Sequence, residues 1–243
     1  MLIDAVLLPP LLEPRHVVNR AVVVLDVLRA TTSVAAALAA GAREIQVFPS
    51  IDNVRGAVPT VRDGLLLCGE ERCLRPDTFD LGNSPGEFTR DRVAGKTILM
   101  STTNGTRAIV AARGAARLYA AALVNAEATA RHLAQVRMDV TLLCAGTGGE
   151  VALEDVVGAG AIVAALNRLT QNKLMSDASR IASALFEMSE KSLAQTLRNT
   201  QGGRNVMNAG LDADIDFAAR LNALDVVARV DPRTLAVTRV DPV

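Results

Sequence analysis

The stretch from residue 22 to 32, Val-Val-Val-Leu-Asp-Val-Leu-Arg-Ala-Thr-Thr, constrains the fold of this chain more than any other. It begins with four consecutive aliphatic residues, the pattern of a strand that is buried on both faces. Asp26, Arg29, Thr31 and Thr32 follow, and a long alanine-rich helix begins near Ser33. Open α/β sheets bind ligands outside the carboxyl ends of their strands. The stretch therefore predicts an α/β fold with a candidate site at the end of this strand.

The polar side chains at that strand end have two interpretations. A carboxylate suits a cation, while a guanidinium, hydroxyls and helix N-terminal amides suit phosphate oxygens. Alternatively, Thr31 or Thr32 caps the helix and Asp26 pairs with Arg29. This stretch alone does not decide between a binding site and a helix start.

The composition bounds the core and one class of partner. Half of the 243 residues are apolar, but aromatic residues make up 2% and Trp is absent, so Ala, Val, Leu and Ile must build the core. The formal net charge is zero, with 26 basic and 26 acidic residues. Without a dense basic run or aromatic stacking platforms, we expect no nucleic-acid binding. No composition break divides the chain, so we predict a single domain, residues 1–243, in which the part after about residue 170 packs on the same core.

The cysteines and the N-terminus bear on location. Cys68, Cys73 and Cys144 cannot all pair, and with two histidines in the chain a zinc site is not expected. Free thiols in a reducing cytosol are the simpler interpretation. We find no signal-peptide pattern and no apolar run near the roughly 18 residues that a membrane span needs. These features predict a cytoplasmic protein without a membrane segment.

Apolar runs alternate with helical patterns along the chain. Strands are predicted at residues 1–8, 17–25, 44–48, 65–68, 96–100, 117–120, 140–144, 226–230 and 235–240. Helices are predicted at residues 32–40, 50–62, 125–136, 156–169, 176–197 and 200–221, and another ends near residue 114. This order is typical of an α/β fold.

Residues 73–87 break this periodicity with a long loop rich in turn formers. Loops of this length in compact domains are usually functional. Ser84 and Pro85 suit the N-cap and first position of a short helix, with Glu87 as the capping-box partner. That interpretation leaves Asp80 and Asn83 unexplained.

Residues 101–106, Ser-Thr-Thr-Asn-Gly-Thr, lie between a predicted strand and a predicted helix. Hydroxyls, an amide and exposed backbone N–H groups at a helix start favour a phosphate cradle over a plain cap. The GxxxxGK[ST] phosphate loop is absent. The candidate phosphate ligands are Thr102, Thr103, Asn104, Gly105 and Thr106.

The glycine-rich residues 145–150 follow the strand at 140–144. They match GxGxxG only loosely, and no acidic residue ends a strand about 20 residues later, so a dinucleotide site is not predicted. Asp155 opens the next helix, where an acid is an ordinary partner of the helix dipole. Because Asp155 also lies near a strand end, as Asp26 and Glu70 do, it is a candidate metal ligand.

These strand ends define a hypothesis about the site. If the strands are parallel neighbours, Asp26, Glu70 and Asp155 converge on one edge of the sheet. Three carboxylates with few histidines favour Mg²⁺ over Zn²⁺. Together with the arginines and the hydroxyl-rich residues, they predict a phosphorylated substrate.

Four motifs occur in order and cover most of the chain up to about residue 169. They are Asp-Val-Leu-Arg-Ala-Thr-Thr at 26–32, Phe-Asp-Leu-Gly-Asn-Ser-Pro at 79–85, Thr-Thr-Asn-Gly-Thr at 102–106 and Leu-Glu-Asp at 153–155 with Gly160, with a weaker echo at Arg204, Gly210 and Asp214. Together they resemble the 2-phosphosulfolactate phosphatase family. The resemblance implies a three-layer α/β/α fold with a largely parallel or mixed central sheet. It also implies Mg²⁺-dependent hydrolysis of 2-phospho-3-sulfolactate to sulfolactate and phosphate, a step towards coenzyme M in methanogens.

One position departs from the pattern of that family. The family usually has Gly-Glu-Arg where this chain has Gly69, Glu70, Glu71 and Arg72, so an ungapped match puts Glu71 in the place of the arginine. Either Arg72 serves after a slip of one residue, or that anion contact is lost.

The resulting hypothesis is a metal-assisted phosphatase. Asp26, Arg29 and Asp155 are the predicted catalytic residues, and Asp26, Glu70 and Asp155 the predicted Mg²⁺ ligands. The predicted substrate-binding residues are Thr31, Thr32, Arg72, Asn83, Ser84, Thr102, Thr103, Asn104, Gly105, Thr106 and Arg204.

Several alternatives stay open. Asp26 either assists an attacking water or is itself a covalent nucleophile, although Leu28 stands where the DxDx[TV] phosphatase motif has its second Asp. The substrate is the phosphosulfonate or another small phosphorylated hydroxy acid, and a non-catalytic phosphometabolite-binding protein is the third reading. The alanine-rich helix faces suit either the sheet or a second subunit, so a homo-oligomer is one of the two alternatives.

Overall fold

A computed structural model of the chain describes residues 1–60, 62–171 and 173–240. In this part ten strands form one mixed sheet flanked by helices, which confirms the predicted three-layer α/β fold. The strands are β1 Leu2–Val6, β2 Ala21–Leu25, β3 Glu44–Val47, β4 Leu65–Gly69, β5 Thr97–Ser101, β6 Arg117–Ala121, β7 Val140–Cys144, β8 Leu174–Met175, β9 Val227–Val230 and β10 Ala236–Val240. The helices are α1 Ala30–Ala39, α2 Ile51–Gly56, α3 Arg90–Val93, α4 Gly105–Ala111, α5 Ala126–Val136, α6 Leu153–Leu169, α7 Asp177–Ser189, α8 Leu193–Arg198, α9 Gln201–Asn208 and α10 Asp212–Ala218.

The sheet consists of two parallel blocks joined by an antiparallel hairpin. Its order is β4-β5-β3-β10-β9-β6-β2-β7-β1-β8. The strands β4, β5 and β3 are parallel to one another, as are β6, β2, β7, β1 and β8. The hairpin β9–β10 is antiparallel to β6 on one side and to β3 on the other. Three successive antiparallel pairings mean that the two blocks run in opposite directions along the sheet.

This topology corrects the premise that the strands bearing Asp26 and Glu70 are parallel neighbours. β2 and β4 belong to opposite blocks, yet both residues line one cavity. The right-handed twist between strands accumulates across a sheet. We infer that the sheet curves enough for the carboxyl ends of the two blocks to meet.

The alanine-rich helix α1 is enclosed by other elements of the fold. It packs against β6, β9, β10 and α4, and every residue from 30 to 38 is buried. A helix that is apolar all round is buried all round. Small alanine side chains let the surrounding strands approach closely, so α1 packs within its own chain.

Three predicted helices end early or divide, and two others begin two or three residues earlier than predicted, at Ala30 in α1 and at Leu153 in α6. The helix predicted at 50–62 ends at Gly56, ahead of Pro59, and residue 61 lies outside the described residues. The predicted helix 176–197 divides into α7 and α8. The predicted helix 200–221 divides into α9 and α10 at Gly210, whose φ of +72° is incompatible with a continuous helix.

Two strand predictions also change. The predicted strand at residues 17–25 begins only at Ala21, because Pro14–His16 forms a 3₁₀ turn. The strand β8 was not predicted, because two residues are too few to show an alternating apolar and polar pattern.

The predicted state of the cysteines is confirmed. All three are free thiols, and Cys68 and Cys144 are buried. In the described ranges no helix combines the length and apolar character needed to cross a membrane.

Close packing of α6 on α7 leads to a stability prediction. A Cβ atom at Gly160 would lie 2.0 Å from the carbonyl oxygen of Ala182. We expect Gly160→Ala to lower the free energy of unfolding by about 1–3 kcal/mol, because one helix must shift. Urea denaturation measures the loss. Gly56→Ala is the control, since nothing lies within 4 Å of its Cβ, and equal losses in both variants would contradict this packing.

Candidate active site

A cavity of about 220 Å³ lies where the carboxyl ends of β2, β4, β5 and β7 meet the start of α9. Its walls carry both acidic and basic groups. The lining residues are Asp26, Leu28, Arg29, Glu70, Arg72, Cys73, Asn83, Thr103, Asn104, Thr147, Gly148, Gly202, Asn205 and Val206.

Asp26 directly follows β2 and lies at the cavity wall, almost fully buried. Its Oδ1 accepts a hydrogen bond from the N–H of Ala30 at 3.3 Å. A Cβ at Gly105 would lie 2.6 Å from Asp26 Oδ2, so only glycine fits beside this carboxylate. Burial, followed by the negative charge of Glu70, raises the pKa of Asp26 to about 7.

Asp155 lies behind the cavity. Its Oδ1 accepts a hydrogen bond from the N–H of Val27 at 2.8 Å, and its Oδ2 accepts one from the N–H of Gly146 at 3.0 Å. Burial and the neighbouring charges of Asp26 and Glu154 raise its pKa. Asp155 is therefore a carboxylate that ties the loop after β2 to the loop after β7.

Glu70 plays a similar part at the end of β4, but at the cavity wall itself. Its Oε1 accepts a hydrogen bond from the N–H of Thr103 at 2.6 Å, and its Oε2 accepts one from the N–H of Cys73 at 3.0 Å. It thus joins the loops that follow β4 and β5.

Arg29 lines the cavity in a buried ion pair. Its Nη1 lies 2.7 Å from Asp214 Oδ2, and the two side chains are 3% and 7% exposed. The hydroxyl of Ser84 donates to the same Asp214 oxygen at 2.8 Å and accepts from Arg29 at 3.2 Å. Ser84 occupies the predicted N-cap position of a short 3₁₀ helix, Pro85–Glu87, but its side chain makes no cap hydrogen bond. The alternative pairing of Asp26 with Arg29 is also not observed, because the partner is Asp214.

Thr31 and Thr32 were predicted to bind substrate. The Thr31 hydroxyl donates to the carbonyl of Asp26 and accepts from its N–H, at 2.9 and 3.0 Å. The Thr32 hydroxyl donates to the carbonyl of Val27 at 2.8 Å. Both are fully buried and neither lines the cavity. Neither is the N-cap of α1, whose N-cap position is Arg29, so the capping interpretation is also wrong and the two hydroxyls instead hold the main chain of the turn between β2 and α1.

The predicted phosphate cradle at residues 102–106 divides into two parts. The hydroxyls of Thr102 and Thr106 accept hydrogen bonds from each other's N–H groups, at 3.2 and 3.0 Å, which closes the turn on itself. Thr103 and Asn104 line the cavity. Gly105 is confined by Asp26 and Ala30. The open array of hydroxyls that the sequence suggested is thus reduced to two lining residues.

The loop at residues 73–87 brings Asn83 to the cavity. Asn83 is 4% exposed, and its Oδ1 has no hydrogen-bond partner among the described residues. Asp80 has a structural partner instead, because its Oδ2 accepts from the N–H of Leu67 and from Arg62, both at 2.7 Å.

Residues 69–72, where the chain departs from the family's Gly-Glu-Arg pattern, place Glu71 and Arg72 in different cavities. Arg72 lines the cavity, whereas Glu71 lines a second cavity of about 150 Å³ that Glu70 also borders. Arg72 thus reaches the site after the slip of one residue. Arg107 is exposed and also lies in the second cavity.

Arg204 does not face the candidate site. It is exposed, and its guanidinium donates to the carbonyl of Asn199 at 2.6 Å and to Gln201 Oε1 at 3.0 Å. Its neighbours Gly202 and Asn205 line the cavity instead. The predicted contact between Arg204 and substrate is not supported by this geometry.

Glu154 is a buried acid that sequence reasoning did not single out. It is 1% exposed, and neither carboxylate oxygen has a hydrogen bond of ordinary geometry among the described residues. Burial raises its pKa, although Thr200 and Thr147 lie near enough to oppose that shift. A Cβ at Gly202 would lie 1.8 Å from Glu154 Oε1, so α9 covers it with a glycine. Its position in the first turn of a helix offered an ordinary explanation and concealed this environment.

The charges of Glu70 and Glu154 act on Asp26, and those of Asp26 and Glu154 act on Asp155, but these four carboxylates do not form a closed metal site. Among residues 1–60, 62–171 and 173–240, no three His, Cys, Asp or Glu side chains lie close enough together to hold a metal ion. The predicted three-ligand set of Asp26, Glu70 and Asp155 is therefore not formed by those side chains alone.

The chain matches a known protein family over most of its length. The family model described as 2-phosphosulpholactate phosphatase matches residues 7–232. This chain belongs to the 2-phosphosulfolactate phosphatase family. The family is one of phosphoric monoester hydrolases, so the resemblance inferred from the four motifs is confirmed.

Curated relatives carry the same family name. A probable 2-phosphosulfolactate phosphatase of Symbiobacterium thermophilum is 39% identical over 213 residues, which cover 86% of this chain and 90% of the relative. That of Carboxydothermus hydrogenoformans is 39% identical over 229 residues, covering 93% and 92%. That of Clostridium beijerinckii is 31% identical over 228 residues, covering 93% and 95%. The similarity thus extends over most of the length of this chain and of each of these relatives.

Proposed function

We propose that this chain hydrolyses 2-phospho-3-sulfolactate to 3-sulfolactate and phosphate and requires Mg²⁺ to do so. The observation that carries the proposal is that all four family motifs meet at one place. The first three contribute Asp26, Asn83 and Asn104 to the lining of a single cavity, and the fourth contributes Glu154 and Asp155 behind it.

The unpartnered oxygens of Glu154 support the Mg²⁺ requirement. Burying a carboxylate without hydrogen-bond donors is costly unless a cation or proton compensates for the charge. Mg²⁺ is usually held by one or two carboxylates, with phosphate oxygens and water completing its shell. This coordination pattern agrees with the described part of the chain, in which no three metal-binding side chains lie close together. We assign Asp26 and Glu154 to hold the ion and Asp155 to position the loops around it.

The chain's own groups have distinct parts in this proposal. Mg²⁺, when bound, supplies positive charge to the phosphate oxygens. Arg29 adds a fixed positive charge at the cavity wall, because Asp214 and Ser84 prevent it from moving. The attacking oxygen belongs to a water molecule or to Asp26, and both routes require the ionised Asp26 carboxylate.

Phosphate release from 2-phosphosulfolactate and from a panel of small phosphate esters, with Mg²⁺ and with EDTA, tests the proposal. We expect release to be fastest from 2-phosphosulfolactate and EDTA to slow it by about 100-fold or more, because the phosphate loses its main charge partner. Faster release from another ester would replace the substrate. Binding without release from any ester would indicate a phosphometabolite-binding protein.

Metal binding can be measured apart from turnover. Mg²⁺ should raise the Tm of the wild-type protein, since a ligand that binds the folded state stabilises it. Glu154→Gln should lose that rise. Glu150→Gln is the matched control, because Glu150 is exposed on the preceding loop. An equal rise in Tm in all three proteins would refute the role of Glu154.

We also propose a cytoplasmic location and a place in sulfolactate and coenzyme M formation. The free state of the three thiols supports the first. The second rests on the family resemblance alone.

A further inference from the structure

A groove of about 750 Å³ lies at the opposite edge of the sheet from the candidate active site. It borders the turn between β9 and β10, which lies beside the amino end of β6, whereas Asp26 follows the carboxyl end of the parallel strand β2. Asp231 is the one acid in the described lining of this groove. Five arginines also line it, namely Arg113, Arg117, Arg229, Arg233 and Arg239. A chain whose formal net charge is zero thus gathers positive charge at one place.

The strand register places two of these arginines on one face of the sheet. Tyr119 lies opposite Arg229, and Arg117 is two residues before Tyr119 on β6. Residues two apart on a strand point to the same face, and diagonal neighbours on paired strands are about 7–8 Å apart. Burial raises the pKa of Tyr119, and the charges of Arg229 and Arg117 oppose that shift. Both guanidiniums therefore lie near the same phenol.

The groove arginines lack partners in the described part of the chain. The guanidiniums of Arg113, Arg229 and Arg233 make no ion pair and no hydrogen bond there. Arg117 donates to the carbonyl oxygen of Ala116, at 3.5 Å, and pairs with no carboxylate among those residues. Like charges at neighbouring positions of a sheet destabilise it. An anion bound from solution would remove that repulsion.

Asp231 does not neutralise the groove, because its carboxylate holds its own turn together. Its Oδ1 accepts hydrogen bonds from the N–H groups of Arg233 and Thr234, at 2.8 and 3.2 Å. Exposed arginines elsewhere are paired, as Arg198 is with Asp216 at 2.7 Å. The groove therefore keeps an excess of positive charge.

We propose that this groove binds a small anion that carries several phosphate groups, at a site separate from the candidate active site. The planar fork of a guanidinium matches the oxygens of a phosphate group, and several guanidiniums match a chain of such groups better than a single phosphate. The described lining contains no aromatic side chain, and Tyr119 is 1% exposed, so the groove offers no platform for stacking a base. Phosphate groups, not nucleobases, are what it recognises.

Calorimetric titration with tripolyphosphate, in EDTA and about 0.15 M NaCl to screen distant charges, tests the proposal. We expect the wild type to bind tripolyphosphate at least about 10-fold more tightly than orthophosphate. Arg229→Ala and Arg117→Ala should each weaken the binding of tripolyphosphate by about 10-fold or more, because a charge-assisted contact is lost. Arg180→Ala is the matched control, since it removes the same charge from an exposed position on α7. Equal affinity in all four proteins, or no binding by the wild type, would overturn the proposal.

Two further titrations locate the anion. Arg72→Ala should bind tripolyphosphate as the wild type does, and saturating 3-sulfolactate should not displace it, because Arg72 lines the other cavity. Loss of binding in Arg72→Ala with normal binding in Arg229→Ala would place the anion in the candidate active site and reject the groove. Tighter binding of a single-stranded oligonucleotide than of tripolyphosphate would replace the small ligand by a nucleic acid. None of these titrations depends on hydrolysis, so the proposed phosphatase function can fail independently.

Discussion

Asp26→Asn is expected to lower kcat by about 1,000-fold or more while the protein stays folded. Both routes of hydrolysis need the ionised carboxylate, which the amide cannot replace. Steady-state phosphate release measures the loss, and circular dichroism checks the fold. Asp91→Asn, at an exposed position in α3, is the control and should keep its activity. Near-normal turnover in Asp26→Asn would contradict both routes.

The same variant should not be less stable than the wild type at pH 8 in the absence of Mg²⁺. The pKa of Asp26 rises on folding from 3.8 to about 7, so its ionised form is disfavoured in the folded state. The wild type therefore loses stability as the pH rises from about 4 to 7, and the neutral amide does not. A clear fall in Tm for Asp26→Asn at pH 8 would show that the carboxylate supports the fold.

Asp214→Ala is expected to lower the free energy of unfolding by about 3–5 kcal/mol, because it leaves the buried Arg29 guanidinium without its counter-charge. Urea denaturation measures the change. Asp216→Ala is the matched control on the same helix. It removes the more exposed pair with Arg198, at 2.7 Å, and should cost about 1 kcal/mol or less. Similar losses in both variants would contradict the importance of burial.

A double variant keeps this prediction testable if Asp214→Ala fails to fold. Replacing both partners, Arg29→Met with Asp214→Leu, removes the uncompensated charge and should recover much of the lost stability. No recovery would indicate that the loss comes from packing rather than from the unpaired charge. The double variant should be inactive even if it is stable, since it lacks Arg29 at the cavity wall.

The sequence was sufficient where local contacts decide the structure. The run of four aliphatic residues ahead of Asp26 does become a fully buried strand, and the alanine-rich segment becomes α1. The turns at 26–32 and 102–106 are closed by hydrogen bonds between residues four or five positions apart. Such contacts depend on spacing, which a sequence displays directly. Fold class and family membership followed from these patterns.

Roles of single polar residues were harder to predict, because a spacing that permits a ligand contact also permits a backbone contact. Thr31 and Thr102 are examples of hydroxyls that bind the main chain of their own turn. For Glu154 the sequence suggested only a structural role. An acid in the first turn of a helix is explained by the helix dipole, and nothing further is needed until the burial of its side chain is known. Only the packing of Gly202 against it distinguishes the two situations.

The sequence by itself determined most of the elements, the family and half of the residues that line the cavity, because hydrophobic period and motif spacing record local burial and local hydrogen bonding. The tertiary structure decided which groups meet. It pairs Arg29 with Asp214, 185 residues later, and it brings the ends of two oppositely directed strand blocks to one cavity. These outcomes depend on strand direction, sheet twist and contacts between distant segments, and no local pattern in the chain encodes them.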